Sequence, residues 1–387
     1  MLNRVKRISI LTLLCLYTLF KVTQIWPLHA LLAAALTLVF FFVMTGWLFI
    51  YHAKPELVDS LWFRLFVWLG SFAMGLWTTF ILLSIPLDVG FLFYYLLGVT
   101  QLVTYHAAKI TLLDHHATLV ILGLSCLIAL LGFIEVLRGP RVKRVIVHYP
   151  ELPASLDHLK IAQLSDLHIG PTIRKNYIEK VVQRTNEAQP DIIVITGDIA
   201  DAKAADIAET LGVLANLKAA YGIFYVTGNH EYYWDAEGLI DKVQACGITV
   251  LINQNRILDI KGTKIMVAGV PDVIGGKFLA GHEPDILQAV QTNQQTVFKI
   301  LLAHRPEVYE AAEKAGVDLV FAGHTHGGQF FPFNILIPLA HKYYRRLNQH
   351  RQLWLHVNPG TGYWGPANRF GVPAEITLLI LRRGMPE

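Results

Sequence analysis

Charged side chains are scarce in this chain. They make up 16% of its 387 residues, against about a quarter in a typical soluble domain. The shortage lies in the first third, which is therefore expected in lipid, while the stretch beyond residue 150 is long enough to bury a core of its own. Cysteine is scarce as well. Cys15 and Cys126 fall in apolar segments and Cys246 stands alone in the polar part, which excludes a disulfide framework and a thiolate metal cluster. There is no internal repeat and no low-complexity tract. The net charge of +4 is mild, and much of the excess flanks apolar segments, a pattern of membrane topology rather than of nucleic-acid binding.

Four apolar stretches, residues 8–25, 28–51, 63–85 and 117–137, are each close to the roughly 20 residues that cross hydrocarbon. They make residues 1–145 an all-α transmembrane region in contact with the lipid bilayer. Lys21 falls near the end of the first stretch, where its amine is expected to snorkel to the headgroups. Residues 89–108 are ambiguous. They are uncharged, but Tyr94, Tyr95, Gln101, Tyr105 and His106 fit an interfacial helix as well as a further span. Arg4, Lys6 and Arg7 precede the first stretch, and Arg138, Arg141, Lys143 and Arg144 follow the last. Both ends are then cytoplasmic, which requires an even number of spans. The expectation is a multi-pass protein of the cell membrane whose second domain, 150–387, faces the cytoplasm.

That second domain reads differently. Buried-strand patterns at 159–165, 191–196 and 222–227 alternate with helical spacing at 174–188, 205–217 and 235–246, the signature of an α/β domain with a largely parallel sheet. Further strands at 264–270, 299–303, 318–322, 353–357 and 375–381 make a second sheet plausible. The chemistry sits where strands stop. Asp166 and His168 follow the first strand, Asp198 the second, and Asn229, His230 and Glu231 the third; His304 follows the strand ending at Ala303, and His324 and His326 the strand ending at Ala322. In α/β sheets ligands bind beyond the carboxyl ends of the strands, so these clusters are expected to converge. Asp166, Asp198, Asn229, His168, His304, His324 and His326 form a hard-to-borderline ligand set, suited to Mn, Fe, Zn, Ni or Co. Seven side chains exceed what one catalytic ion needs, and a shared carboxylate would let them hold two.

The order DLH, GD, GNHE, H and GHTH resembles the signature of the calcineurin-like metallophosphoesterases, over residues 158 to 382. DLHIGPTI, GHTHGGQ and GTGYWGP resemble the membrane-anchored bacterial subgroup in particular. The resemblance implies a four-layer αββα sandwich and two divalent ions. Asp166, His168, Asp198 and His326 would hold one; Asp198, Asn229, His304 and His324 would hold the other, with Asp198 bridging. It implies His230 as the acid that assists the leaving group, in direct transfer of phosphoryl to water. The purple acid phosphatase branch has a tyrosine three residues after the bridging aspartate; Asp201 stands there, which argues against an iron–tyrosinate site.

The remaining candidates divide. His106, His115 and His116 lie in or beside spans and are not expected to bind metal, and His341, His350 and His356 are surface or packing residues. Arg305 and Arg369 could each contact a substrate phosphate or form an ordinary ion pair. Residues 329–339, QFFPFNILIPL, follow His326 directly. They either complete the core or form an exposed apolar lip, and the lip reading implies a lipid-linked or amphiphilic phosphoester. Two rival functions are a catalytically silent membrane module, which the complete ligand set disfavours, and a nuclease. A nuclease needs a basic, aromatic-lined groove, and no nucleic-acid partner is expected.

Overall fold

The computed structural model describes residues 13–23, 35, 37–42 and 60–385. It forms two compact units, Met1–Phe133 with Pro366–Asn368, and Ile134–Gly365 with Arg369–Glu387.

In the first unit two helices, Leu61–Val99 and Ala107–Arg138, are long and apolar enough to cross a membrane. The Ser60 hydroxyl caps the first by accepting from the Phe63 N–H. The stretch expected at 63–85 does not stop at Pro86. The helix carries the proline internally and runs on to Val99. The ambiguous residues 89–108 are therefore not an element of their own: 89–99 finish one helix, 100–106 make the turn, and the next helix begins at Ala107. The Tyr94 hydroxyl closes that turn by donating to the Thr104 carbonyl at 2.8 Å. Of the expected stretch at 8–25, residues Leu13–Thr23 are helical, and that at 28–51 lies mostly outside the described residues.

Lys21 does not snorkel. Its side chain is fully buried, with Nζ 2.6 Å from Asp88 Oδ1 and 2.8 Å from Asp114 Oδ1. The Tyr17 hydroxyl donates to Asp88 Oδ2 at 2.5 Å. An isolated ammonium in apolar surroundings is prohibitive, whereas one fixed between two carboxylates ties three helices together.

The second unit has twelve strands: β1 (Arg141–Tyr149), β2 (Lys160–Leu164), β3 (Ile192–Thr196), β4 (Ile223–Val226), β5 (Thr249–Val250), β6 (Gln254–Ile260), β7 (Thr263–Gly269), β8 (Phe298–Leu302), β9 (Leu319–Ala322), β10 (Arg346–His350), β11 (Leu353–Val357) and β12 (Glu375–Arg383). They form two six-stranded sheets, ordered β1-β12-β2-β3-β4-β5 and β10-β11-β9-β8-β7-β6. Inner-face residues of both sheets, among them Ile161, Val194, Val226, Val267, Ile300 and Phe321, make one shared core. The outer face of the second sheet packs Met266, Leu301 and Val320 against Ala289 and Ala312 of two short helices. Helix Lys175–Glu187 buries Ile178, Val181, Val182 and Thr185, the i, i+3, i+4, i+7 stripe of an amphipathic helix. These are the expected α-β-β-α layers.

Two sequence expectations shift. The domain does not start at 150, because β1 pairs in parallel with β12 from Arg141 onward. On this edge strand Arg141 and Lys143 share one face and Arg144 stands on the other, all exposed; Lys143 meets Glu375 and Arg141 meets Glu135. The helix expected at 205–217 is shorter, Ala208–Gly212 followed by a 3-10 turn. Between the sheets, Gln163 Nε2 donates to Thr196 Oγ1 and the Ala322 carbonyl, and its Oε1 accepts from His356. His356 is thus a packing residue, as expected.

Lys21→Met would leave Asp88 and Asp114 facing each other without a cation. It should lower the stability of the detergent-solubilised protein by on the order of 3 kcal/mol, read from thermal or denaturant unfolding. An unchanged midpoint would show that the cluster contributes nothing.

Candidate metal centre

Each expected ligand sits on a turn that leaves a strand end. Asp166 and His168 follow β2, Asp198 follows β3, Asn229 follows β4, His304 follows β8, and His324 and His326 follow β9. Five of them, Asp166, His168, Asp198, His324 and His326, have positive φ between 50° and 69°. That conformation is costly for residues with a Cβ and persists where surrounding structure imposes it, commonly at functional sites. Glycine supplies the clearance. A Cβ on Gly228 would lie 2.2 Å from Asp198 Oδ1, and one on Gly323 would lie 2.4 Å from Asp166 Oδ2.

The turns bring the candidate ligands together in overlapping groups. Asp166, His168 and His326 offer ligand atoms within 4.8 Å of one another, so do Asp198, His304 and His324, and so do His168, Asp198 and His230. Asp198 stands between the groups: its Oδ2 is 3.2 Å from His304 Nε2, 3.8 Å from His168 Nε2 and 3.9 Å from His230 Nε2. Asn229, buried at the start of helix Asn229–Trp234, follows Gly228, which packs on Asp198. The groups His115–His116 and His106 join no such cluster among the described residues.

The donor chemistry fits divalent ions. His168 Nε2 faces His326 Nε2 at 3.1 Å, and His304 Nε2 faces His324 Nδ1 at 3.1 Å. Contacts between imidazole nitrogens are stable only with a proton or a cation between them. The outward nitrogens of two rings are already engaged. His304 Nδ1 donates to the Thr196 carbonyl at 2.8 Å, and His168 Nδ1 to Asp201 Oδ1 at 3.1 Å, the outer partners that orient a metal-binding imidazole.

Electrostatics follow from burying these charges together. Burial lowers His304 and raises Asp166, but the Asp198 carboxylate outweighs burial at His304 and lifts it to about 10. Burial also opposes ionisation of Asp198, yet His304 and His230 hold its carboxyl well below the usual range. His230 is lifted to about 9 against its own burial by Asp198 and Asp201. His324 and His326 go the other way. Burial, with His304 beside the first and Arg369 beside the second, keeps both neutral and available as ligands. Divalent ions binding here would expel the proton from His304, so uptake should release protons.

Two residues that hold the site together were not singled out by sequence. Asp201 was read only as the absence of a tyrosine, but Oδ1 bonds Nδ1 of both His168 and His230. Glu231 is not turned to the ligand groups. Its carboxylate accepts the backbone N–H groups of Asp198 and Gly228, and of Ile199 at 2.5 Å, which fixes the two turns to each other. The signals were present in G-D-x-x-D and G-N-H-E, but only the fold shows what the acids touch.

The two arginines separate. Arg305 Nε pairs with Asp272 at 2.8 Å and its Nη2 lies 3.4 Å from Asn229 Oδ1, with part of the side chain exposed. Arg369 is fully buried and donates to the carbonyls of Pro359, Gly360 and Gly362. It anchors that loop and has no face for a substrate phosphate, contrary to one of its expected roles. Segment 329–339 is also mixed. Phe330 is core, whereas Phe333, Ile335, Leu336 and Leu339 are exposed, Leu339 by 87%.

The family model for calcineurin-like phosphoesterases matches residues 159–328. An uncharacterized metallophosphoesterase of Aquifex aeolicus is 31% identical over 247 residues, covering 62% of this chain and 92% of that protein. The chain belongs to the calcineurin-like metallophosphoesterase family. An uncharacterized metallophosphoesterase of Helicobacter pylori is 36% identical over 65% of this chain and 66% of its own length. A Danio rerio relative, named a transmembrane protein with metallophosphoesterase domain, is 32% identical over 69% of this chain and 63% of its own length. The match thus spans just under two thirds of the length of these two relatives.

Asp198→Asn removes a charge that both ligand groups share, and should abolish activity and most bound metal. His230→Ala should cut turnover with metal content nearly intact; elemental analysis of the two proteins distinguishes them, and equal metal loss contradicts the division. Asp201→Asn, at saturating metal, removes one of the charges that hold a proton on His230. If His230 is the acid that the family resemblance implies, the alkaline limb of the kcat–pH profile, set by loss of its proton as pH rises, should move to lower pH by about one unit. A shift to higher pH would contradict the pairing.

Proposed function

We propose that this chain is a membrane-anchored phosphoesterase that transfers a phosphoryl group directly to water. One observation carries the reading: Asp198 Oδ2 lies between two groups of metal-ligating side chains, within 3.9 Å of imidazoles from both. Asp166, His168, Asp198 and His326 would hold one divalent ion, and Asp198, Asn229, His304 and His324 the other. Such ions supply charge neutralisation at the phosphoryl oxygens and activation of water at neutral pH. The protein's part is positional. Asp201 fixes His230 through Nδ1, which turns Nε2 toward Asp198 and the reaction space. There His230 holds a proton for the departing oxygen. Arg305, tethered by Asp272 beside Asn229, is placed to steady a phosphoryl oxygen.

Anchoring is supported by the two long apolar helices and by relatives named as transmembrane proteins. The flanking positive charges favour a multi-pass arrangement with the catalytic domain in the cytoplasm. The substrate reading is an amphiphilic or lipid-linked phosphoester. Its support is the exposed lip, Ile335, Leu336 and Leu339, followed closely by Lys342, Arg345 and Arg346. Apolar residues beside basic ones favour an anionic, acyl-bearing surface.

A turnover screen with Mn, comparing p-nitrophenyl mono- and diesters, nucleotide sugars and lipid phosphates, tests the activity. The Ile335→Ser/Leu339→Ser variant tests the lip. Both residues are exposed, so folding should survive, and the ratio of long-chain to soluble aryl phosphate hydrolysis should fall about tenfold. An unchanged ratio removes the lipid reading.

A further inference from the structure

Two half-exposed aromatic rings adjoin His230, and a third extends from one of them. Tyr233 is 56% exposed, Trp364 51% and Phe278 52%. The Tyr233 ring centroid lies 5.5 Å from that of His230, the Trp364 centroid 6.0 Å from it, and Phe278 continues the row 6.2 Å beyond Tyr233. Single exposed aromatics are ordinary on a protein surface. A contiguous row beside one functional side chain is the arrangement that marks a ligand contact.

The row is held in place before any ligand arrives. Gln329, itself buried, clamps Trp364 through both ends of its amide. Oε1 accepts the Trp364 N–H at 2.8 Å, and Nε2 donates to the Trp364 carbonyl at 2.8 Å. Tyr233 rides on helix Asn229–Trp234, whose Tyr232 hydroxyl is bonded to Thr227 and His282. Phe278 caps the 3-10 turn Gly275–Lys277, and the Ile274 N–H before that turn donates to Asp272, the residue that also tethers Arg305. These contacts fix the backbone from which the rings project, so only side-chain torsions are left to be ordered on binding.

We propose that the leaving group of the substrate carries a planar ring, a nucleobase or another aryl group, which stacks on Trp364 and Tyr233. This rests on reading His230 as the group that protonates the leaving oxygen. That oxygen must come within about 3 Å of the imidazole. A ring one or a few bonds further along then falls at the distance of the Tyr233 and Trp364 faces. The row offers π-faces and few hydrogen-bonding groups, so it selects planarity rather than the identity of a base.

Full-length protein in detergent with Mn would be given ethyl, cyclohexylmethyl and 2-naphthylmethyl phosphates and adenosine 5′-phosphate, each also as the methyl diester. The first three leaving alcohols have similar basicity, so ring planarity is the variable. The naphthylmethyl ester should exceed the cyclohexylmethyl ester in kcat/KM by about tenfold, mainly through KM. Trp364→Ala should bring that ratio toward one and Trp364→Phe should restore most of it, with metal content unchanged as the check on folding. A matching preference for the adenosine ester assigns a nucleoside, and its absence assigns a plain aryl group. Turnover without a planar-ring preference, or a ratio unmoved by Trp364→Ala and Tyr233→Ala, overturns the proposal alone. No turnover of any ester, p-nitrophenyl phosphate included, removes the phosphoesterase reading and the proposal with it.

Discussion

A carboxylate with almost no contact with water, Asp198, is surrounded by the imidazoles of His168, His230 and His304. Burying that charge is tolerable only if opposite charge and hydrogen-bond donors reach it from several directions. Much of the second unit serves this requirement. The His230 N–H donates to Asp198 Oδ1, Gly228 allows the backbone to come that close, and Glu231 ties the Asp198 turn to the Gly228 turn. The positive φ angles at five ligand positions are the conformational cost of the same convergence. Two sheets stacked through one apolar core hold all these turns at one end.

Sequence exposed the candidate ligands because strand-end placement is a local feature. Each is a polar residue, often beside glycine, directly after a short apolar run, and the order of the runs sufficed to gather them at one edge. The residues behind the ligands were not legible in that way. Asp201, Glu231 and Gln329 touch atoms that lie some thirty residues away along the chain, and nothing in their own stretch of sequence says whether such a side chain meets water, an ion or a backbone group. Arg369 was open to two readings, substrate phosphate or an ordinary ion pair, and met neither: its Nη groups go to loop carbonyls and to His326 Nδ1.

The membrane-type helices show how a local rule yields to tertiary contacts. The apolar stretch was expected to end at 85, yet the helix carries Pro86 within its 39 residues. Lys21 suggested snorkelling, but two aspartates from other helices meet it. β1 was hidden by its charges. Arg141, Lys143 and Arg144 read as a topology signal, yet all three pair in register with β12. Exposed apolar and aromatic residues were partly visible as composition, but only the structure separates the core Phe330 from the open Leu339 and places Trp364 beside His230.

The central claim is that Asp198 is shared by two ions. Crystals of the catalytic protein soaked with Mn and measured near the manganese absorption edge test it directly. The account predicts two anomalous peaks about 3.5–4 Å apart, one beside Asp166 and His326, the other beside His304 and His324, with Asp198 Oδ2 between them. A single fully occupied peak, or a pair that leaves Asp198 bound to only one ion, would contradict it.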